Sequence, residues 1–192
     1  MTASVDASHP VVQALDRLVE RCLTAGPLRS RQLPEGHSPC ARGQPDEEGW
    51  LDWEPVTRND FGLLAPLEQA LERPLPDALK AFYGRYWRHH LETRADEGHV
   101  SLLGAWNPAD NDRLLENLLG HNQLQRRLFG LLRRYPQTLF FACTEPDSEY
   151  ILSMDIDSQE ILVERPGTRD WRVVAPDLAG FLDRLQPDPP AA

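Results

Sequence analysis

Apolar residues recur at three- and four-residue steps in the first part of the chain, which is the spacing of one face of an α-helix. The pattern starts at Pro10 and stops near Gly26 and Pro27, two residue types that are common at helix ends. The apolar positions are Val11, Leu15, Leu18 and Cys22. We therefore predict a first amphipathic helix, preceded by a flexible N-terminus at residues 1–9.

A longer helical pattern lies between two strand-like apolar segments, residues 100–106 and 138–144. Pro108 and Pro136 mark the ends of its helical part. The predicted buried stripe is Leu114, Leu115, Leu118, Leu119, Leu124, Leu128, Leu131 and Leu132. The predicted solvent face carries Arg113, Gln125, Arg126, Arg133 and Arg134. Gly120 and Gly130 each weaken a helix by about 1 kcal/mol relative to alanine, so one helix or two shorter helices fit the pattern.

The remaining periodicity predicts a mostly antiparallel sheet. Helices are expected at residues 66–73, 76–87 and 177–185. Strands are expected at residues 88–93, 99–103, 138–144, 150–156, 159–164 and 172–174, joined by short turns. We predict a single α+β domain over residues 10–186, with several helices flanking the central sheet, and a disordered proline-rich tail at residues 187–192.

One segment has too few apolar positions for a helix or a long strand. Residues 27–49 are rich in proline, glycine and charge, which predicts a long irregular loop, and loops of that length often carry a function. The loop ends in an acidic run, and residues 50–55 after it alternate as a short strand would. Trp50 and Trp53 lie among these acids, where they can attract arginine and lysine or can simply be core residues.

Charge narrows the class of partner. The chain has 30 acidic and 20 basic residues, a net charge of -10 and a pI of about 5.0. Nucleic-acid phosphates and anionic lipid repel such a protein, whereas basic surfaces attract it, although acidity can also serve solubility alone. The arginine cluster Arg126, Arg127, Arg133 and Arg134 is therefore interpreted as a solvated helix face. With no span of about 20 apolar residues and no signal-peptide pattern, we expect a cytoplasmic protein.

The sequence makes a weak case for catalysis. The three cysteines, Cys22, Cys40 and Cys143, have no metal-binding or disulfide spacing, and an acidic loop does not favour Cys40 and His37 as a nucleophile and base. A second group, His89, His90, Glu92 and His99, is close in sequence but lacks the usual helical ligand spacing for a metal. We expect no enzyme activity, no cofactor and no metal.

Several short segments, taken in order, resemble the Syd family of SecY-interacting proteins. The more specific ones are Ser38-Pro39-Cys40 and Glu116-Asn117-Leu118-Leu119-Gly120-His121. Weaker matches are Trp53-Glu54-Pro55, Leu67-Glu68-Gln69-Ala70-Leu71, Phe82-Tyr83, Thr138-Leu139-Phe140-Phe141-Ala142 and Gly167-Thr168-Arg169. The resemblance spans residues 10–187 and departs from the family at residues 125–135 and in the tail.

The resemblance implies a SUKH-like α+β fold and a non-enzymatic function. It implies a cytoplasmic protein, peripheral on the cytoplasmic side of the inner membrane, whose acidic groove binds the basic cytosolic loops of SecY, the protein translocase channel. Such a protein would restrain or check improperly assembled translocase. We expect a monomer that binds no nucleic acid. The alternative is a SUKH-type immunity protein that covers the basic active site of a toxin.

The resemblance does not single out the groove residues, so we choose them by acid density. The candidate partner-binding residues are Asp46, Glu47, Glu48, Trp50, Asp52, Glu54 and Asp60. If these do not bind the partner, the next candidates are Glu145, Asp147 and Glu149. No catalytic or metal-binding residue is assigned.

Overall fold

The computed structural model describes residues 6–31, 33–130, 136–145 and 147–188. The first helix, α1, spans Pro10–Ala25 and buries the apolar stripe that the sequence predicts. The His9 ring accepts a hydrogen bond from the Val11 N–H (3.2 Å) and so caps the helix. The helix ends at Gly26, whose φ of 157° suits glycine.

Two short strands of a small antiparallel sheet lie in the segment that we expected to be irregular. Its strands are β1 (Leu28–Ser30), β2 (Ala41–Arg42) and β3 (Leu51–Trp53), in the order β1-β3-β2. The prediction of a strand at residues 50–55 is confirmed, and the predicted long loop at residues 27–49 is interrupted by β1 and β2. Strands β1 and β2 are short and lie at the edges of this sheet. They contain too few apolar residues to give a strand pattern in the sequence.

The next elements are β4 (Val56–Thr57), α2 (Ala65–Leu71), α3 (Asp77–Gly84) and β5 (Tyr86–Trp87). Both predicted helices are present, but α3 ends at Gly84, because Tyr86 and Trp87 leave the helix to pair with β4. A Cβ at Gly84 would clash with the backbone oxygen of Asp60, so this helix end fits only glycine.

A seven-stranded sheet forms the centre of the fold and confirms the α+β prediction. Its strands are β6 (Leu91–Ala95), β7 (Gly98–Leu102), β8 (Thr138–Cys143), β9 (Ile151–Asp155), β10 (Ile161–Glu164), β11 (Trp171–Ala175) and β12 (Gln186–Pro187). Every neighbouring pair is antiparallel, in the order β11-β10-β9-β8-β7-β6-β12.

One continuous helix, α4 (Pro108–Phe129), connects β7 to β8 and passes through Gly120 without a break. Its orientation differs from the prediction. Gln125, placed on the solvent face by its polarity, is only 1% exposed, whereas Leu124 and Leu128 are 44% and 51% exposed. The buried face follows a helical step of three and four residues through Asn111, Leu114, Leu118, Asn122, Gln125 and Phe129. Leu131, Leu132, Arg133 and Arg134 lie outside the described residues.

Helices cover both faces of the large sheet. Phe141 of β8 packs against Phe82 of α3 and against Phe181 of the last helix, α5 (Leu178–Arg184). The next residue towards the N-terminus, Phe140, points to the opposite face and packs against His121 of α4. Adjacent residues of one strand thus contact helices on opposite faces of the sheet.

The chain after α5 differs from the predicted disordered tail. Gln186 and Pro187 pair with Arg94 and Thr93 of β6, and the Asp188 N–H donates to the backbone oxygen of Glu92 (3.1 Å). Only residues 189–192 of the predicted tail lie outside the described residues.

Candidate functional site

The structure gathers the predicted acids on the small sheet but also supplies arginines for most of them. Arg29 of β1 bonds Asp46 and Asp52, the latter at 2.8 Å. Two further pairs are Arg31 with Glu48 (3.0 Å) and Arg42 with Glu54 (3.3 Å). The pKa of Asp46 is lowered, chiefly by a hydrogen bond from the Trp50 N–H.

The two tryptophans near these acids have different environments. Trp53 is 2% exposed and packs edge-on against Trp106 and His89, so it is a core residue. Trp50 is half-buried, and the Arg31 guanidinium lies 4.4 Å from its ring centroid. An arginine of the same chain therefore already makes the cation–π contact that we expected a partner to make.

The remaining two predicted residues also differ from each other. Asp60 lies in the loop after β4 and pairs with Arg58 (3.1 Å), whose guanidinium is 3.8 Å from the Trp87 ring centroid. Glu47 is exposed and makes no salt bridge with any described residue. Five of the six predicted acids are thus paired within the chain, which reduces the negative potential that they offer to a partner.

A cavity at one end of the large sheet provides a second acidic surface. Its volume is about 360 Å³. The apolar part of its lining comes from the sheet and from α5: Val100, Leu152, Val163, Val174 and Phe181. The polar part comes mostly from the β6–β7, β8–β9 and β10–β11 connections: Glu97, Glu145, Ser148, Tyr150 and Asp170, with Arg172 of β11.

The cavity rim has more carboxylates than cations. Glu145 accepts a hydrogen bond from the His99 N–H (3.3 Å), and Asp170 accepts one from the Tyr150 hydroxyl (2.5 Å). The hydrogen bond to Asp170 raises the pKa of Tyr150, which therefore stays a neutral donor at physiological pH. Glu97, Glu145 and Asp170 make no salt bridge with any described residue, so a basic partner would meet them unpaired.

Sequence reasoning named Glu145 only as a second choice and missed Glu97 and Asp170. The signal was present in the predicted meander, because alternate turns of an antiparallel sheet lie at the same end. Acids in those alternate turns must therefore converge. The other fallback residues, Asp147 and Glu149, are exposed in the β8–β9 connection, where Glu149 pairs with Arg165 (2.6 Å).

The histidines that are close in sequence have separate environments in the fold. His99 lies between two carboxylates, with its ring nitrogens 2.9 Å from Glu92 and 3.0 Å from Asp188. His89 is half-buried against the core tryptophans, and the loss of hydration there lowers its pKa to about 3. Among the described residues, no group of three or more histidine, cysteine, aspartate or glutamate side chains is arranged to hold a metal ion.

Ser38-Pro39-Cys40 is a structural anchor in this fold. The Ser38 hydroxyl donates to the backbone oxygen of Trp106 (2.6 Å) and accepts from the Cys40 N–H (3.1 Å). Cys40 is fully buried, and that burial raises its pKa, so the thiol is a poor nucleophile. The motif fastens the small sheet to the start of α4.

Within the described parts of the chain, no helix combines the length and the apolarity needed to cross a membrane. A sequence model of a family described as "Syd protein (SUKH-2)" matches residues 12–187. A relative named Protein Syd from Aliivibrio fischeri is 33% identical over 183 residues, which is 92% of this chain and 96% of the relative. Another Protein Syd, from Pseudoalteromonas atlantica, is 34% identical over 78% of each chain. A third, from Hahella chejuensis, is 36% identical over 78% of this chain and 74% of its own length.

Proposed function

Because this chain belongs to the Syd family (SUKH-2), we propose that it binds SecY from the cytoplasmic side of the inner membrane as a non-enzymatic regulator of the translocase. The cytoplasmic loops of membrane proteins carry an excess of lysine and arginine, which suits a partner with a net charge of -10. Direct contact with SecY would make this a peripheral membrane protein without any affinity for lipid.

The observation that carries this proposal is the acid-rimmed cavity on the large sheet. Three carboxylates without a salt-bridge partner among the described residues surround a partly apolar cavity of about 360 Å³. A basic loop side chain can place its charge at the rim and its methylene groups against Leu152, Val163 and Phe181. Acids and apolar surface together suit lysine or arginine better than acids alone.

The free energy that binding requires explains why the apolar lining of the cavity matters. An exposed ion pair contributes about 0.2 to 1 kcal/mol, whereas micromolar affinity requires about 8 kcal/mol. Three or four rim pairs therefore supply only part of the required free energy. Burial of apolar atoms at about 25 cal/mol per Å² has to supply much of the rest, in a few desolvated contacts.

The small sheet is proposed as a second, weaker contact surface. Glu47 needs no rearrangement to bind a cation, while Glu48, Asp52 and Glu54 would each have to exchange an arginine of this chain for one of the partner. Such an exchange replaces one exposed ion pair by another, so its net contribution to binding is small.

Matched charge reversals distinguish these surfaces. We expect Glu97→Lys with Glu145→Lys to weaken SecY binding about tenfold or more, which is about 1.4 kcal/mol or more. We expect Glu47→Lys with Glu48→Lys to have a smaller effect. The control is Asp112→Lys with Glu116→Lys, which makes the same charge change on exposed positions of α4.

Binding is measured with purified SecY complex in detergent, and circular dichroism confirms that each variant folds. Equal weakening by all three double variants would show a general charge effect without a site. Weakening by the small-sheet variant alone would place the contact on Glu47 and Glu48 and contradict the cavity.

A further inference from the structure

Strand β11 is an open edge of the large sheet. It lies at one end of the strand order and has five residues without proline. The strand at the opposite edge, β12, has only two residues, one of them Pro187. Monomeric proteins usually blunt their edge strands by shortness, proline, charge or a β-bulge, and β11 lacks the first two of these features. Its ladder with β10 has a register shift, but that shift lies beyond Val173, outside residues 171–173.

The backbone groups of Trp171 and Val173 point outward from this edge. The Arg165 N–H donates to the backbone oxygen of Asp170 (2.9 Å), so these opposed residues form a hydrogen-bonded pair. Bonded and non-bonded pairs alternate along an antiparallel ladder. Arg172, opposite Val163, therefore bonds β10, whereas Trp171 and Val173 direct their N–H and C=O groups to the open side.

The two faces of β11 carry different side chains. Trp171 lies opposite Glu164, which bonds Gln125 of α4 (3.0 Å), so Trp171 and Val173 are on the α4 face. They are 37% and 43% exposed, and Leu128 of α4 is exposed beside the β10–β11 turn, 3.9 Å from where a Cβ of Gly167 would lie. Asp170 and Arg172 are on the other face, at the cavity.

This edge is complementary to itself in charge. If a second copy pairs antiparallel about Trp171, the two Trp171 residues exchange both backbone hydrogen bonds. Asp170 of each copy then lies opposite Arg172 of the other, in the non-bonded type of pair whose side chains are closest. Arg184 donates to the backbone oxygen of Val174 (3.1 Å), but Val174 lies beyond this paired segment.

We propose that the chain forms a symmetric homodimer through β11, in the register that places Trp171 opposite Trp171. The pairing gives the outward backbone N–H and C=O groups of β11 hydrogen-bond partners. It also makes two Asp170–Arg172 ion pairs and covers apolar surface at Trp171, Val173 and Leu128. It joins the two large sheets and brings the two acid-rimmed cavities side by side, since Asp170 and Arg172 line both the edge and the cavity. In the dimer Asp170 is paired with Arg172 of the second copy, so Glu97 and Glu145 are the rim acids left for a basic partner. The proposed dimer differs from the monomer that the sequence led us to expect.

Charge-swap variants test both the dimer and its register. Sedimentation equilibrium of the wild-type protein should show a species of twice the 21.8 kDa chain mass as concentration rises. Asp170→Arg and Arg172→Asp should each weaken that dimer at least tenfold, because each places two like charges face to face. An equimolar mixture of the two variants should restore it, because both cross-pairs are then attractive. The double variant should also dimerise.

Two controls separate the interface from side effects. Asp112→Arg makes the same charge change on an exposed position of α4 and should leave the dimer unchanged. Tyr150→Phe removes the internal hydrogen bond to Asp170 without a charge change and should also leave it unchanged.

If the wild-type protein sediments with the mass of one chain at every concentration up to its solubility limit, the proposal is wrong. The open edge of β11 would then be a site for an extended segment of another protein. A dimer that both single variants leave intact would place the interface elsewhere. If the mixture and the double variant both stay monomeric while each single variant is folded, the Asp170–Arg172 register is wrong.

Discussion

A buried guanidinium holds the segment between β5 and β6 against the end of β7. Arg88 is 1% exposed and donates to the backbone oxygens of Leu102 (2.9 Å) and Leu103 (2.6 Å). Burial lowers its pKa to about 10, so the side chain still carries its charge at neutral pH. Gly104 permits this approach, because a Cβ there would lie 2.7 Å from Arg88 Cγ and 2.8 Å from its backbone oxygen.

Two alanine substitutions should therefore have opposite effects. We expect Gly104→Ala to lower the free energy of unfolding by about 1–3 kcal/mol, because the new methyl group overpacks the Arg88 site. Gly120→Ala, at a position of α4 where the added methyl group meets open space, should raise it by up to about 1 kcal/mol. Urea denaturation measures both, and a neutral Gly104→Ala would show that Arg88 can move.

Glu164 is a fully buried carboxylate in the layer between the sheet and α4. It accepts hydrogen bonds from the Thr138 hydroxyl (2.6 Å) and the Gln125 amide (3.0 Å), and His121 lies 3.4 Å away. Burial acts to raise its pKa, but its hydrogen bonds, that with His121 first, together outweigh burial and hold the pKa below the ordinary 4.5. The polar residue Gln125 can be buried because Glu164 and Thr138 satisfy its amide. Both partners lie on strands distant in sequence, so the local pattern does not predict this burial.

Because this pKa is lower in the folded state, the free energy of unfolding decreases at acidic pH. The contribution of Glu164 is fully present above the unfolded-state pKa of 4.5 and is lost as pH falls through the lower folded-state value. We expect Glu164→Gln to cost about 1–3 kcal/mol at pH 7 and to flatten the fall in stability below pH 4.5. Denaturant titrations between pH 7 and pH 3 measure this, and parallel curves for the two proteins would contradict it.

At the scale of elements, the stability and position of α4 depend on the hydrogen bonds of its first turn. The Asn107 side chain accepts a hydrogen bond from the Asp110 N–H (2.9 Å) and donates one to the backbone oxygen of Glu35 (2.8 Å). One residue therefore caps the helix and ties it to the loop before Ser38-Pro39-Cys40. Sequence reasoning found the start of the helix from Pro108 but did not see this second contact, because its partner is 72 residues away.

The two functions of Asn107 can be separated. Asn107→Ala removes both hydrogen bonds and should cost about 1–2 kcal/mol of stability or more. Asn107→Ser keeps a capping oxygen but loses the contact with Glu35, so it should be about 1 kcal/mol more stable than the alanine variant. Thermal unfolding followed by circular dichroism compares them, and equal stabilities would show that the cap contributes nothing.

Elements with a strong local period were predictable, whereas those fixed by distant contacts were not. The α1 stripe from Val11 to Cys22 and the meander from β8 to β11 follow from spacing alone. Strand β12 was not predictable, because its pairing with β6 and the contacts of Asp188 with His99 and Arg94 link residues far apart in the chain. The rotation of α4 was missed because leucine content does not reveal which leucines stay exposed.

At the scale of the whole molecule, net charge favours a basic partner but does not indicate which acids stay free of internal ion pairs. The densest acids in the sequence, around Asp46 and Asp52, fold onto arginines of the same chain. Glu97, Glu145 and Asp170 are scattered in sequence and converge only because alternate turns of the meander share one end. Acid density in a sequence therefore overestimates the potential at places where nearby arginines fold onto the same surface.

The most direct test of the proposed function is binding of the purified protein to membranes that contain excess SecY, compared with matched membranes that lack it. We expect binding that requires SecY and weakens with salt, because the Debye length falls from about 10 Å at 0.1 M to about 3 Å at 1 M. Equal recovery on both membranes, or on neither, would contradict SecY binding and make the toxin-immunity alternative the one to test.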